Sequence, residues 1–170
     1  MFVRITEEGY AMLKLYHGSN VRIEKIDLLV GHINKDFGKG FYLTDIQTQA
    51  EEMAKRRARM YLGAKPIVTT FLFDETQLKN SELKVKIFEG VSDEWAQFIF
   101  ENRRASETGY KHNFDIVVGP VADDGVVMQL DRYENGQITL QQLVEELRYR
   151  RLNNQYFFGT ERAIQCLTLV

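Results

Sequence analysis

One cysteine, Cys166, is all that the chain of 170 residues contains. An intramolecular disulfide is therefore excluded, and so is a zinc site built from several thiolates. Such cysteine usage points to a cytosolic protein. Long apolar runs are missing as well, and the N-terminal stretch offers neither the core of a signal peptide nor enough length to cross a bilayer. Charge of one sign is not in excess. The formal net charge is -2, which removes the electrostatic argument for wholesale binding to nucleic acid or to a membrane surface. No internal repeat or low-complexity segment occurs. His32 and His112 are isolated, His17 sits apart from both, and no metal-ligand spacing emerges. There is no Gly-x-Ser-x-Gly elbow and no dinucleotide glycine fingerprint. Gly38-Lys39-Gly40 has neither the spacing nor the Lys-Ser/Thr end of a phosphate loop.

What is present reads as one soluble domain over residues 12–170, with residues 1–11 as a candidate N-terminal extension and Met12 as an alternative start. A chain of this length buries roughly two-thirds of its unfolded surface and needs no staple. Leu13 and Leu15 alternate with Lys14 and Tyr16, which predicts a half-buried strand. It runs into His17-Gly18-Ser19-Asn20, read as a turn cluster at a loop mouth. Val21 to Leu29 reads as irregular and Gly31 to Asp36 as polar loop. Phe41-Tyr42-Leu43 has strand chemistry, and Thr44 or Asp45 is placed to cap a following helix. That helix is predicted over Ile46 to Leu62, ending at Gly63 and Pro66, with Lys55, Arg56, Arg57 and Arg59 near its C-terminus.

Ile67 to Phe73 reads as a buried strand, and Leu83 to Phe88 as another. Ser92 opens a helix with Trp95, Phe98 and Ile99 on its apolar face. A polar loop is expected to Asn113, then a strand over Phe114 to Val118 broken by Gly119-Pro120. Asp123-Asp124-Gly125 reads as a turn and not as an acid/base pair. Leu140 to Arg150 is predicted as an amphipathic helix. Asn153-Asn154-Gln155-Tyr156 feeds a strand, and a final helix runs from Thr160 through Leu167, with Cys166 packed on it. Strands and helices mix without a βαβ rhythm, so the fold class is α+β with a mixed or largely antiparallel sheet.

Taken singly, His17, Tyr42 and Gln155 have ordinary structural explanations. Their order and local context say more. Leu15-Tyr16-His17-Gly18-Ser19, then Phe37-Gly38-Lys39-Gly40-Phe41-Tyr42-Leu43-Thr44-Asp45, then Asn154-Gln155-Tyr156 resemble the donor-site motifs of the ADP-ribosyltransferases. The likeness is to the branch of diphtheria toxin and the poly(ADP-ribose) polymerases, and it covers about a quarter of the chain. The whole chain also resembles an uncharacterised bacterial family associated with toxin–antitoxin pairs.

The resemblance implies a split-sheet core with flanking helices, NAD as co-substrate, no metal, and transfer of ADP-ribose to a protein or nucleic-acid acceptor, with a small antitoxin as a candidate partner. It implies His17, Tyr42 and Gln155 as the catalytic triad. Nicotinamide and its ribose would meet His17, Gly18, Ser19, Gly40, Tyr42 and Met53. In that reading Gly18 lets the ring approach because it lacks a side chain, and Tyr42 stacks on the nicotinamide. The acceptor would be chosen by the loop around Arg150 to Asn154, where Arg151 and Asn153 stand.

Two departures bear on activity. Gln155 stands where the relatives carry glutamate, so the hydrogen bond is kept and the charge is lost. Met53 stands where they carry a second stacking aromatic, and Ala50 where they carry a serine. Weak NAD hydrolysis and single transfer are the expectation. The alternatives are an NAD- or ADP-ribose-binding module without turnover, and an interaction protein using Arg56, Arg57, Arg59, Arg148, Arg150 and Arg151.

Overall fold

The structure is a computed structural model, and it describes residues 4–5, 11–148 and 153–170. In chain order its first half comprises β1 (Arg4–Ile5), β2 (Ala11–Ser19), β3 (Phe41–Leu43), α1 (Gln47–Ala58), β4 (Ile67–Asp74) and β5 (Val85–Ile87). The second half comprises α2 (Asp93–Arg103), α3 (Ala105–Thr108), β6 (Ile116–Pro120), α4 (Asp124–Glu134), α5 (Leu140–Arg148), β7 (Asn154–Phe158), α6 (Glu161–Ile164) and β8 (Leu167–Leu169). Short 3-10 turns occur at Leu28–Val30 and Glu75–Lys79. Arg150 and Arg151, and with them most of the loop expected to choose the acceptor, lie outside the described residues. So does most of the expected extension, of which Arg4–Ile5 pairs with β2.

The fold is α+β, as its pattern of elements predicts. Two four-stranded sheets run in the orders β1-β2-β4-β8 and β3-β7-β6-β5. Every pairing is antiparallel except that of β5 with β6. The sheets touch through an isolated bridge, in which Tyr16 and Thr44 exchange backbone hydrogen bonds at 2.8 and 3.0 Å.

Strand periodicity decides the layering. Ile116, Val118, Tyr156 and Phe158 point one way and pack with Leu13, Leu15, Phe71 and Phe73 of the first sheet. Val117 and Phe157 point the other way and pack with Phe37, Trp95, Ile99, Leu143 and Leu147. Strands β6 and β7 are thus buried on both faces, between the first sheet and the helical layer of α2, α4 and α5. The apolar stripes predicted for α2 and α5 supply that layer, with Trp95, Ile99, Leu143 and Leu147 fully buried.

Several predicted boundaries are corrected. His17-Gly18-Ser19 is not a turn: β2 continues through it, with His17 opposite Thr69, Gly18 opposite Val68 and Ser19 opposite Ile67. Helix α1 stops at Ala58 rather than Leu62, and Met60, Tyr61 and Leu62, at 68%, 54% and 109% exposed, add no buried face that would hold a further turn. Gly119-Pro120 does not break its strand. β6 runs through it, and the absent Cβ of Gly119 lets Phe88 come within 3.0 Å of that position. Asp123 is not in a free turn but caps α4, its carboxylate accepting from Val126 N at 2.9 Å. The expected polar loop before Asn113 contains α3, which ends at Gly109 with φ +72°. The terminal helix ends at Ile164, so Cys166 precedes β8 instead of riding the helix, though it does pack on the first core face.

Candidate functional site

The junction of the two sheets opens into a cleft of about 330 Å³. Its walls come from segments far apart in sequence. β2 supplies His17, Gly18 and Ser19, β3 supplies Tyr42, α1 supplies Ala50, Met53 and Arg57, and β7 supplies Gln155. Lys35, from the loop before β3, completes one side.

His17 is fixed by its strand and by a bond across the junction. Its Nδ1 lies 2.9 Å from the Tyr42 carbonyl oxygen, which only accepts, so Nδ1 carries the proton. The ring also stacks on Phe41, with centroids 4.7 Å apart. Burial lowers the His17 pKa; the bond to Tyr42 opposes this, and the positive charges of Lys35 and Arg57 reinforce it. The imidazole is therefore neutral near pH 7, and Nε2 is an acceptor.

Tyr42 is clamped at its hydroxyl. That group donates to the Gly38 carbonyl at 2.6 Å and accepts from Phe37 N at 3.1 Å. The bond needs a tight loop, and Gly38 supplies it with φ +83°. Burial pushes the phenol pKa far up, so Tyr42 is a ring surface and not a base. One edge contact is with Phe157, with centroids 5.3 Å apart. The Lys35 ammonium lies over the ring, 5.2 Å from its centroid.

Gln155 is set by β7, where it lies opposite Gly119. Its Nε2 donates to Oδ2 of Asp36 at 3.1 Å. Asp36 is buried and also accepts from Arg103 Nε at 3.0 Å and Ala122 N at 3.1 Å. A carboxylate only accepts, so the amide nitrogen faces it, and the amide oxygen is the end left for a ligand.

Six of the seven predicted site residues line the cleft: His17, Gly18, Ser19, Tyr42, Met53 and Gln155. Gly40 does not. A Cβ there would lie 2.3 Å from the Phe157 ring, so its lack of a side chain serves packing. The reason given for Gly18 also changes. A Cβ at that position would lie 1.9 Å from the Ala50 carbonyl oxygen and 2.8 Å from Ala54 N. The space is taken by α1, whose Ala50, Ala54 and Ala58 are buried. Ser19 makes only long bonds, donating to Asn20 Oδ1 at 3.5 Å and accepting from Val21 N at 3.4 Å. Met53 is 44% exposed, an open wall rather than a second clamp.

Sequence reasoning missed Lys35, Asp36 and the cleft-facing role of Arg57, which it read as one of a basic group near the C-terminus of the helix. Helical spacing carried a signal for Arg57, one turn after Met53 on the same face. The Asp36–Gln155 contact spans 119 positions and had none.

Chemically, the cleft offers an aromatic face, a neutral imidazole acceptor, an amide oxygen and two cations. Its described lining contains no Asp or Glu. It suits a flat heterocycle joined to hydroxyl and anionic groups, held by orientation and charge. Among the described residues there is no cluster of three or more His, Cys, Asp or Glu that could hold a metal. No helix among them is long and apolar enough to cross a membrane.

Fold and site thus define an α+β protein with a cation-bearing cleft at the junction of two sheets. The chain belongs to the family described as protein of unknown function (DUF3990), whose model matches residues 13–169. No curated protein and no solved structure matches it.

Proposed function

We propose that this protein is an NAD-dependent mono-ADP-ribosyltransferase. The observation that carries the reading is the meeting of His17 from β2, Tyr42 from β3 and Gln155 from β7 in one cleft. These are the residues, in the order, that the resemblance implies. The Tyr42 ring would take one face of the nicotinamide, an offset contact worth about 0.5–1.5 kcal/mol beyond burial. His17 Nε2 would accept from a ribose hydroxyl, and the Gln155 amide oxygen from another. In the reaction the nicotinamide leaves with the electrons of its bond to ribose. The acceptor's nucleophile forms the new bond to that carbon and gives up its proton. Gln155 stabilises the developing positive charge through a dipole and not through a full charge, which sets the rate low.

The acceptor in this reading is a protein or a nucleic acid. The setting is a cytoplasmic toxin with a small antitoxin as partner. Purified protein, lysate and biotinylated NAD test it, with nuclease and protease arms to assign the acceptor class. Label transfer that disappears in His17→Ala and Tyr42→Ala supports the enzyme. Absence of both label and any NAD-induced rise in melting temperature rejects it.

A second reading, binding of NAD or ADP-ribose without turnover, is favoured by one specific feature. The Gln155 amide is committed to Asp36 and carries no charge of its own. Thermal stabilisation by NAD without label in any arm is its signature.

A further inference from the structure

Lys35 and Arg57 bring two positive charges to the cleft wall, and its described lining offers neither of them a carboxylate. Elsewhere Lys55, Arg103, Arg132 and Arg162 each pair with an acid within 4 Å. Lys35 and Arg57 form no such pair among the described residues. The buried acid next to Lys35 in the chain, Asp36, is already held by Arg103, Ala122 N and Gln155. The two cations also oppose each other. Much of the Lys35 side chain is exposed, yet loss of water around its ammonium lowers its pKa, and the Arg57 charge lowers it further, against a weaker opposing pull from Asp36. Like charges left together in a concave site are relieved by an anion.

The geometry says which kind of anion. Arg57 stands on α1 one turn beyond Met53, on the face that the cleft exposes. Its planar fork matches two phosphate oxygens. Lys35 covers the Tyr42 ring face, and a flat heterocycle stacking there must move it. A flexible lysine stem carries its ammonium to whatever negative charge accompanies the ring. A ligand satisfying both demands joins an aromatic ring to phosphate across a sugar.

We infer that Lys35 and Arg57 form a diphosphate subsite of this cleft and set its specificity for a dinucleotide over the bare nicotinamide nucleoside. The inference rests on the NAD reading for the occupant of the Tyr42 face. It does not rest on that reading for the anion.

Calorimetric titration of the full chain and of Arg57→Gln and Lys35→Met tests it, with NAD, ADP-ribose, inorganic diphosphate and nicotinamide riboside as probes. Each variant is expected to bind NAD and ADP-ribose about tenfold to a hundredfold more weakly, the loss of one charge-assisted hydrogen bond. Nicotinamide riboside, a cation without phosphate, is expected to bind the variants no more weakly than wild type. Equal NAD affinity in wild type and variants overturns the subsite while leaving the NAD reading intact. Wild-type binding of ADP-ribose and diphosphate but not NAD, lost in the variants, keeps the subsite and rejects the NAD reading. Wild type that binds none of the probes overturns both. Both positions are at least partly exposed and neither cation pairs with an acid among the described residues, so melting temperatures no lower than wild type are expected and separate a binding loss from a folding loss.

Discussion

The Gln155 amide donates to Asp36 at 3.1 Å, across 119 positions of chain. The cleft therefore has a carboxylate directly behind the residue that stands where glutamate is expected. The simplest gain-of-function change, Gln155→Glu, acquires a physical obstacle. It sets two carboxylates against each other, and they cannot both ionise freely. At 4 Å two like charges repel by about 4 kcal/mol at an effective dielectric near 20. The introduced glutamate is expected to hold its proton at neutral pH and to lower the melting temperature. The deficit should shrink as pH falls to about 4, where carboxylates are protonated in the unfolded chain too. The double variant Gln155→Glu with Asp36→Asn is expected to recover only part of the lost stability at pH 7, because an amide in place of that carboxylate cannot accept from both Arg103 and Ala122 N, and to show faster NAD hydrolysis than either single variant. A double variant no faster than wild type argues that the missing charge is not what limits turnover.

Gly18 and Gly40 owe their identity to packing, and this separates them from ligand contacts. Gly18→Ala places a Cβ 1.9 Å from the Ala50 carbonyl oxygen, and Gly40→Ala places one 2.3 Å from the Phe157 ring. Overpacking of this kind costs about 1–3 kcal/mol. Urea unfolding is expected to show both losses, with the larger at Gly18, where the obstacle is helix backbone and cannot turn aside. A Gly18→Ala protein of full stability that fails only to bind ligand would return the glycine to its predicted role.

What was legible follows the reach of each signal. Period-two alternation located β2, a β-branched and aromatic run located β4, and helical spacing located the buried faces of α2 and α5, because each pattern is written within a dozen residues. Helix α4 was missed because Asp123-Asp124-Gly125 satisfies turn chemistry, and the cap at Asp123 is the same chemistry read forward. β8 was missed because it is three residues at a sheet edge. Of the site, the motif residues were legible and their supports were not. A glycine announces that something approaches closely, but not whether it is a ligand, a helix or Phe157. A contact such as Asp36 with Gln155 exists only once the sheet has formed.

Asp115 makes a structural prediction independent of the cleft. Its carboxylate is fully buried although its partner Arg162 is 61% exposed. It accepts from Lys84 N at 2.8 Å, from the Thr160 hydroxyl at 2.5 Å and from Arg162 at 3.1 Å. Burial alone would raise its pKa. The bonds from Thr160, Lys84 and Arg162 outweigh burial and hold it below the usual carboxylate range. The folded value is depressed, so the contribution is present above the unfolded pKa and is lost as pH falls through the folded one. Asp115→Asn is expected to cost about 2–3 kcal/mol at pH 7. Its melting temperature should converge on that of wild type below about pH 4. A gap that is constant with pH would assign the loss to shape rather than charge.

His17 reports directly on the charges around it. Its pKa lies below 6.5 because of burial first, opposed by the bond to Tyr42 and aided by Lys35 and Arg57. A lowered folded value means stability that is complete above the unfolded pKa and is lost as pH falls towards the folded one, at about 1.4 kcal/mol per unit of difference. Wild type should therefore lose more stability than His17→Gln between about pH 7 and about pH 5. Histidine NMR titrations sharpen the test. In Arg57→Gln the His17 midpoint is expected to rise, because one repelling charge is gone. His112 is expected not to follow, since its own lowering comes from burial, opposed by a bond to the Phe37 carbonyl, with no charge from α1 involved. Adding inorganic diphosphate to wild type should move His17 the same way, by neutralising the same charge. A His17 midpoint indifferent to both changes would mean that Arg57 does not share the electrostatics of the cleft.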